Sequence, residues 1–159
     1  MGIDVKPQKR SRKIAMSTQE LDEFLSAQWT CRVATVGPNG PHVSPLWFLW
    51  HDECLWMTSI VRSQRWTDIQ RDPRISVLID AGTDYRELRG AELIGRAQSV
   101  GEVPRTGEAH PELEKLEPLF AQKYYDRDEM SHDQRHAWLR LNPHKIVSWD
   151  FRKLASLGK

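Results

Sequence analysis

An excess of either charge is missing from this chain: 23 Lys and Arg nearly cancel 22 Asp and Glu over 159 residues, leaving +1. That balance excludes a polyanion binder working by bulk charge and an acidic disordered scaffold. Cysteine is almost missing too. Cys31 and Cys54 are too few for a disulfide framework, and without suitably spaced histidines they make no zinc site. No uninterrupted apolar run of about 18 residues is available to span a membrane, and no apolar signal core follows the basic start. The expectation is a reduced, cytoplasmic protein with no membrane span. Gly-x-Ser-x-Gly is missing, and neither cysteine sits in a nucleophile signature, which argues against a hydrolase. Phosphate loops rich in glycine are missing as well, which removes Rossmann and P-loop readings. There is no internal repeat and no low-complexity segment.

What is present is an ordinary globular composition, 39% hydrophobic and 28% charged, at the length of one domain. Seven tryptophans are many for this length. Indoles are large, so several belong in a core, a ligand pocket or a subunit interface. Residues 1–13 carry Lys6, Lys9, Arg10, Arg12 and Lys13 with few apolar partners. The expectation is a flexible basic arm over 1–15 and one folded domain over 16–159. No aromatic residue is interleaved with these charges, so a solvated tail is favoured over a nucleic-acid contact.

Ser17 and Glu20 have capping-box spacing ahead of Leu21, Phe24 and Leu25, which predicts a helix over 18–27. Residues 31–36 are rich in β-formers and end in Gly37-Pro38-Asn39-Gly40, a hairpin turn. The returning arm, 42–50, contains Pro45, which cannot donate to a ladder and so marks an edge or a bulge. Residues 54–59 complete a predicted three-stranded antiparallel meander. A short helix over 62–70 stops at Asp72-Pro73. Residues 75–80 are nearly all apolar and read as a strand covered on both faces. Strands over 91–100 and 145–151 follow, with helices predicted over 112–125 and 133–141. Six strands with helices inserted late predict a mainly β, α+β fold: a six-stranded antiparallel split β-barrel with peripheral helices.

Two patterns bear on chemistry. His132 and His136 have the i,i+4 spacing of a helical metal pair, but no His-Glu-x-x-His accompanies them, and two surface histidines are the favoured reading. The second pattern is Thr58-Ser59 at a strand end, followed by Arg62-Ser63-Gln64-Arg65 at the opening of a helix. Hydroxyls, helix-terminal N–H groups and guanidinium groups converge there, as a phosphate site requires. An N-capped surface helix with solvated arginines is the equal alternative on spacing alone.

Ser63-Gln64-Arg65 followed by Asp72-Pro73-Arg74-Ile75-Ser76-Val77-Leu78 resembles the Ser-Arg-Lys…Asn-Pro-Arg-x-x-Leu pattern of the pyridoxamine 5′-phosphate oxidase-like, flavin-binding split β-barrel superfamily. The segments 34–36, 40–44, 88–90 and 148–154 are similar to its actinobacterial branch that uses the deazaflavin coenzyme F-420. The resemblance implies a homodimer with cofactor bound in clefts between the subunits, and an oxidoreductase acting on a small organic substrate. It places Ser44, Pro45, Leu46 and Trp47 along the ring of the cofactor. Thr58 and Ser59 would meet its phosphate or ribityl chain, and Ser63, Gln64 and Arg65 its phosphate. Gln64 replaces the family's arginine and removes one positive charge, which suits a dissociable deazaflavin better than tightly held FMN. An FMN-dependent oxidase or reductase, and a non-enzymatic flavin- or haem-binding protein, are the alternatives. Trp149 reads as a core residue, with an interface or ring-stacking residue as the alternative, and the tail offers only Arg152 and Lys153, too few for a second phosphate site.

Overall fold

A computed structural model describes residues 5–158; residues 1–4 of the predicted arm and residue 159 lie outside the described residues. Ser17 Oγ accepts the Glu20 N–H at 3.2 Å and the Glu20 carboxylate accepts the Ser17 N–H at 2.7 Å. This reciprocal capping opens helix α1, Thr18–Ala27, which buries Phe24 and Leu25. Strands β1, Cys31–Gly37, and β2, Gly40–Leu46, form a hairpin whose positive φ falls on Gly40. Strands β3, Phe48–His51, and β4, Cys54–Ile60, form a second hairpin. Helix α2, Gln64–Arg71, leads to β5, Arg74–Ala81, and β6, Arg89–Val100. Helix α3, Leu113–Tyr125, precedes β7, His136–Asp150, and a short α4, Leu154–Leu157, closes the chain.

The strands make one antiparallel sheet in the order β2-β1-β5-β6-β7-β4-β3. Its two edges, β2 and β3, are consecutive in sequence and joined by Trp47 alone. A sheet whose opposite edges are one residue apart must curl, so the sheet forms a half-barrel. The predicted arm over 42–50 is therefore two strands, and the count is seven rather than six. The expected meander is broken at the same point, since β2 pairs with β1 and β3 with β4. The β1–β2 register runs without a shift from Cys31↔Leu46 to Gly37↔Gly40. Pro45 thus marks an edge, where its missing N–H costs no ladder bond, and not a bulge.

Two more expectations are corrected. Residues 136–141, read as helix, begin β7, which pairs with β4 on one side and β6 on the other. Both faces of β7 are covered there, with Trp138 turned to α3 and Ala137, Leu139 and Leu141 turned into the barrel. A strand buried on both faces shows no alternation, and its apolar run mimics a helical stripe. In β5 the opposite holds: Ile75, Val77 and Ile79 are buried while Ser76 and Leu78 are half-buried and Asp80 is exposed. One face of β5 is covered within the chain, not two. The register shifts between Ile94 and Gly95, where β6 crosses β7 closely; a Cβ on Gly95 would lie 2.8 Å from the Asn142 carbonyl oxygen.

The N-terminal segment is tied to the barrel over residues 6–16. The Lys6 N–H donates to the His144 carbonyl at 2.9 Å. The Gln8 amide both accepts the Ser148 N–H at 2.9 Å and donates to the Ser148 carbonyl at 3.1 Å. A single side chain here does what an added strand would do, which composition alone does not reveal. The core lies in two parts, one inside the half-barrel and one between α3 and the outer faces of β3, β4 and β7.

Candidate functional site

The site is organised around the break in the sheet. Trp47, 43% exposed, stacks on Tyr124 of α3 with ring centroids 4.4 Å apart and meets Tyr125 edge-on at 5.8 Å. Adjacent helical residues diverge around the axis, yet both tyrosines reach Trp47 because the indole lies across the end of α3. The Tyr124 hydroxyl accepts the Phe48 N–H at 3.0 Å and lies 2.7 Å and 2.9 Å from the carbonyl oxygens of Trp29 and Phe48. Burial pushes this phenol up to about 12. Beside it Lys123 donates to the Phe48 carbonyl at 3.2 Å over the Phe48 ring, and burial lowers its pKa to about 8. The backbone between β2 and β3 is thus pinned by α3, and the pin sets where Pro45, Leu46 and Trp47 face.

Strand alternation separates two residues that the sequence puts together. Thr58 pairs with Trp138 on the outer face of β4 and opens on a cleft, whereas Ser59 points into the barrel and has no exposed surface. The Ser59 hydroxyl is committed to Arg65, accepting from Nε at 3.1 Å. Arg65 also donates through Nη1 to the Ser44 hydroxyl. β2 and β4 share no ladder, so this guanidinium bridges the seam of the half-barrel. Arg65 is only 7% exposed, which rules out for this residue the alternative of a solvated arginine. Burial lowers its pKa from 12.5, and it remains the cation of the seam. Among the described residues its Nη2 has no hydrogen-bond partner.

Ser63 caps α2, accepting the Trp66 N–H at 3.1 Å, and donates to the Ile60 carbonyl at 2.8 Å. Gln64 turns away from the seam and donates to the Asp68 carboxylate at 2.8 Å. Thr35 donates to the same carboxylate, also at 2.8 Å. The Gln64 bond, with that of Thr35, holds the Asp68 carboxyl below its usual range against burial. Of the residues expected at the cofactor, Pro45, Leu46, Trp47 and Thr58 line one cleft, together with Thr30 and His136. Ser44, Ser59 and Arg65 form the seam behind it; Ser63 and Gln64 are engaged within and beside α2.

On the other side of Trp47 lies a smaller pocket that also touches Thr58 and His136 and is closed by Phe120, Tyr125 and Trp138. A buried ionic network forms its floor. Arg105 donates through Nε to Glu117 at 2.7 Å and pairs with Glu102, while Glu117 also accepts from Trp138 Nε1 at 3.0 Å and contacts His132 Nε2 at 3.2 Å. Burial would raise the Glu117 pKa, but these bonds, Arg105 foremost, bring it below the usual carboxylate range. His132 and His136 are not a helical pair: the first leans on Glu117 and the second on Asp133 at 2.6 Å. Among the described residues no group of three or more His, Cys, Asp or Glu side chains is placed to hold a metal. The sequence reading missed His136, Asp133, Phe120 and Arg105 as pocket residues, because the segment carrying the first two was read as helix. Trp149 lies half-buried over Gly90, and Arg152 pairs with Asp150 at 2.7 Å.

A curled antiparallel sheet opened at one seam, with a cation bridging the seam and an apolar cleft beside it, defines a protein of the split-barrel class. The sequence profile described as pyridoxamine 5′-phosphate oxidase matches residues 17–150, and the chain belongs to that family. Among solved structures it is similar to a conserved hypothetical protein from Mycobacterium tuberculosis, with 29% identity over 93% of each chain and a TM-score of 0.70. It shares its fold with an FAD-binding protein from Mesorhizobium loti, 20% identical, covering 84% of this chain and 93% of that one, TM-score 0.65. It shares it also with an F-420 reductase, 20% identical, covering 79% and 94%, TM-score 0.58. No curated protein matches the sequence significantly. No helix among the described residues is long and apolar enough to cross a membrane.

Proposed function

We propose that the chain is a cytoplasmic oxidoreductase that takes a flavin-type cofactor, by preference the dissociable deazaflavin coenzyme F-420, in a cleft completed by a second copy. It moves hydride to or from a small organic substrate. The observation that carries this reading is Arg65: its guanidinium is fixed by Ser59 and by Ser44, the residue before the Pro45, Leu46 and Trp47 wall of the cleft, and among the described residues its Nη2 has no hydrogen-bond partner. A phosphate at Nη2 gains a charge-assisted hydrogen bond from a donor already oriented. Pro45, Leu46 and Trp47 offer an apolar wall for a planar ring, and Thr58 a hydroxyl at its edge. The residues present therefore fit such a group. The cofactor, when bound, supplies the hydride chemistry; the protein supplies position and exclusion of water.

The preference for a dissociable cofactor rests on charge. Gln64 stands where the family's arginine would, and it is tied to Asp68, so Arg65 faces the phosphate as a single cation. The dimer is supported by apolar surface on β1 and β2, where Val36 is 43% and Val43 64% exposed. Absorbance of the purified protein, followed by titration of one apo sample with coenzyme F-420, FMN and haem, tests the reading. A colourless protein that binds F-420 more tightly than FMN is expected. Retained yellow FMN would overturn the deazaflavin preference, and a Soret band with no flavin binding would overturn the oxidoreductase. Light scattering at low micromolar concentration should give the mass of two chains; the mass of one would remove the shared cleft.

A further inference from the structure

Lys6 and Lys145 sit side by side across an isolated parallel bridge, where the N-terminal segment meets β7. Like charges directly opposite one another weaken a pairing, so this bridge forms against its own side chains. Other bonds hold it. The Lys6 N–H reaches the His144 carbonyl, Gln8 takes both backbone groups of Ser148, and the same Gln8 amide donates to the Arg10 carbonyl at 2.7 Å. Arg12 Nε returns to the Gln8 carbonyl at 3.0 Å, and the Met16 N–H donates to the Ser148 hydroxyl at 2.9 Å. A segment whose composition reads as a solvated tail is thereby given one course over the sheet, and its cations one arrangement.

That arrangement encloses a cleft of about 510 Å³ lined by four cations, Lys6, Lys9, Arg10 and Lys145, and by His144. Among the described residues no carboxylate lines it. Glu92, which lies opposite Val147 on β6, accepts the Ser76 hydroxyl at 2.6 Å instead. Elsewhere on the surface Arg74 is paired with Asp72, Arg140 with Glu112 and Lys153 with Glu20. The four cations of the cleft have no ion-pair or side-chain hydrogen-bond partner among the described residues. In a chain of net charge +1 this concentration is local, and the repulsion within it is one that a bound anion relieves. A lone phosphate is too small to meet cations on two strands at once, whereas a chain of linked phosphates follows them, with Arg10 as a forked donor and the lysines as point charges. No aromatic ring lines the cleft, so it offers nothing on which a base would stack.

We propose that this cleft binds a small anion of two or more linked phosphates, held between the N-terminal segment and β7. The site is separate from the cofactor cleft: His144 lies eight residues along β7 from His136, roughly 25 Å at the rise of a strand. The inference therefore does not rest on the flavin-type reading. A bound anion bridges Lys6 of the segment and Lys145 of the sheet, so it fastens the one to the other and stabilises the fold by mass action.

The test is calorimetric titration of the full chain with tripolyphosphate, with melting temperature as a second readout. One tripolyphosphate per chain is expected, with a dissociation constant on the order of 10 μM at low salt that weakens as salt rises. Orthophosphate should bind at least about tenfold more weakly, and tripolyphosphate should raise the melting temperature. Lys6→Gln and Lys145→Gln should each weaken tripolyphosphate about tenfold, since each removes a charged partner. Neither should lower the melting temperature of the ligand-free protein, because each also removes one of two opposed charges. Lys115→Gln on the exposed face of α3 should leave the affinity unchanged. Arg65→Ala should leave it unchanged as well, which separates this cleft from the cofactor cleft. ATP distinguishes the source: equal affinity assigns free polyphosphate and tighter ATP a nucleotide, and either supports the site. Absence of binding, or equal weakening by Lys115→Gln, overturns the proposal. So does loss of binding in Arg65→Ala with Lys6→Gln and Lys145→Gln unchanged, and so does a DNA single strand or an acidic peptide of matched charge that binds more tightly than tripolyphosphate.

Discussion

The rings of Trp47 and Tyr124 stack with centroids 4.4 Å apart and planes 10° from parallel. The same tyrosine hydroxyl accepts the N–H of Phe48, the first residue of β3. One helix residue thus holds both the indole of the cleft and the backbone that follows it, which couples the stability of the fold to the shape of the site.

Tyr124→Phe keeps the stack and removes the hydroxyl, leaving the Phe48 N–H without its acceptor. An orphaned, partly buried donor costs about 1–3 kcal/mol. Urea denaturation should show that loss with an unchanged m-value. Cofactor affinity should fall with it, because Trp47 is no longer tied to a fixed backbone.

Arg65→Ala should raise the dissociation constant of the cofactor tenfold to a hundredfold, since a charged hydrogen bond contributes about 1.5–3 kcal/mol. It should also destabilise the apo protein by a similar amount, because the side chain bridges Ser44 and Ser59. Calorimetry of ligand-free protein separates the two effects. Gln64→Arg alone should tighten binding little, for an arginine at 64 meets the Asp68 carboxylate. Gln64→Arg with Asp68→Asn should tighten it more, with a steeper loss as salt rises.

Gln8→Ala removes the amide that pairs with both backbone groups of Ser148. Ser148 is buried, so its N–H has no ready water and the variant should lose about 1–2 kcal/mol. Deletion of residues 1–13 should lower the melting temperature at least as much. A truncated protein melting with the full chain would show that the segment contributes nothing.

Stability should depend on pH through Lys123. Its ammonium is disfavoured in the fold, where the pKa falls from 10.5 to about 8. Below pH 8 both states are protonated and the full penalty is present. Between about 8 and 10.5 the unfolded chain binds more protons than the folded one, so stability rises with pH. Tyr124 opposes this above pH 10, because its pKa rises from 10.0 to about 12 and the folded state then holds the extra proton. A maximum near pH 10 is expected from the pair. Lys123→Met should flatten the rise and gain about 1 kcal/mol at pH 7 after allowance for the water that still reaches the ammonium, roughly 2–4 °C in Tm.

The elements that are legible in the sequence are those whose signal is local. The capping box at Ser17 and Glu20 marks where α1 starts, Asp72-Pro73 marks where α2 stops, and the Asn39-Gly40 turn marks the first hairpin, because each depends on residues within one turn of chain. Pro45 is legible as an edge or a bulge for the same reason, a missing N–H that restricts where a strand can sit, but only the unshifted pairing of β2 with β1 decides for the edge. The family pattern, likewise a matter of spacing, points to the cleft through Pro45, Leu46, Trp47 and Thr58. Partnership across the fold is what the sequence by itself does not determine. Residues 136–141 become a central strand only because β4 and β6 flank them and α3 lies over Trp138, a burial on both faces that erases the period of two. Thr58 and Ser59 are neighbours in sequence but face opposite sides of a sheet, and only the curl of that sheet brings Ser44 and Ser59 to one guanidinium. Gln8 reaches Ser148, 140 positions away, and His136 meets the cleft of Trp47 by the same long-range closure. Such contacts are set by how seven strands curl about two cores, a property of the packed sheet rather than of any segment.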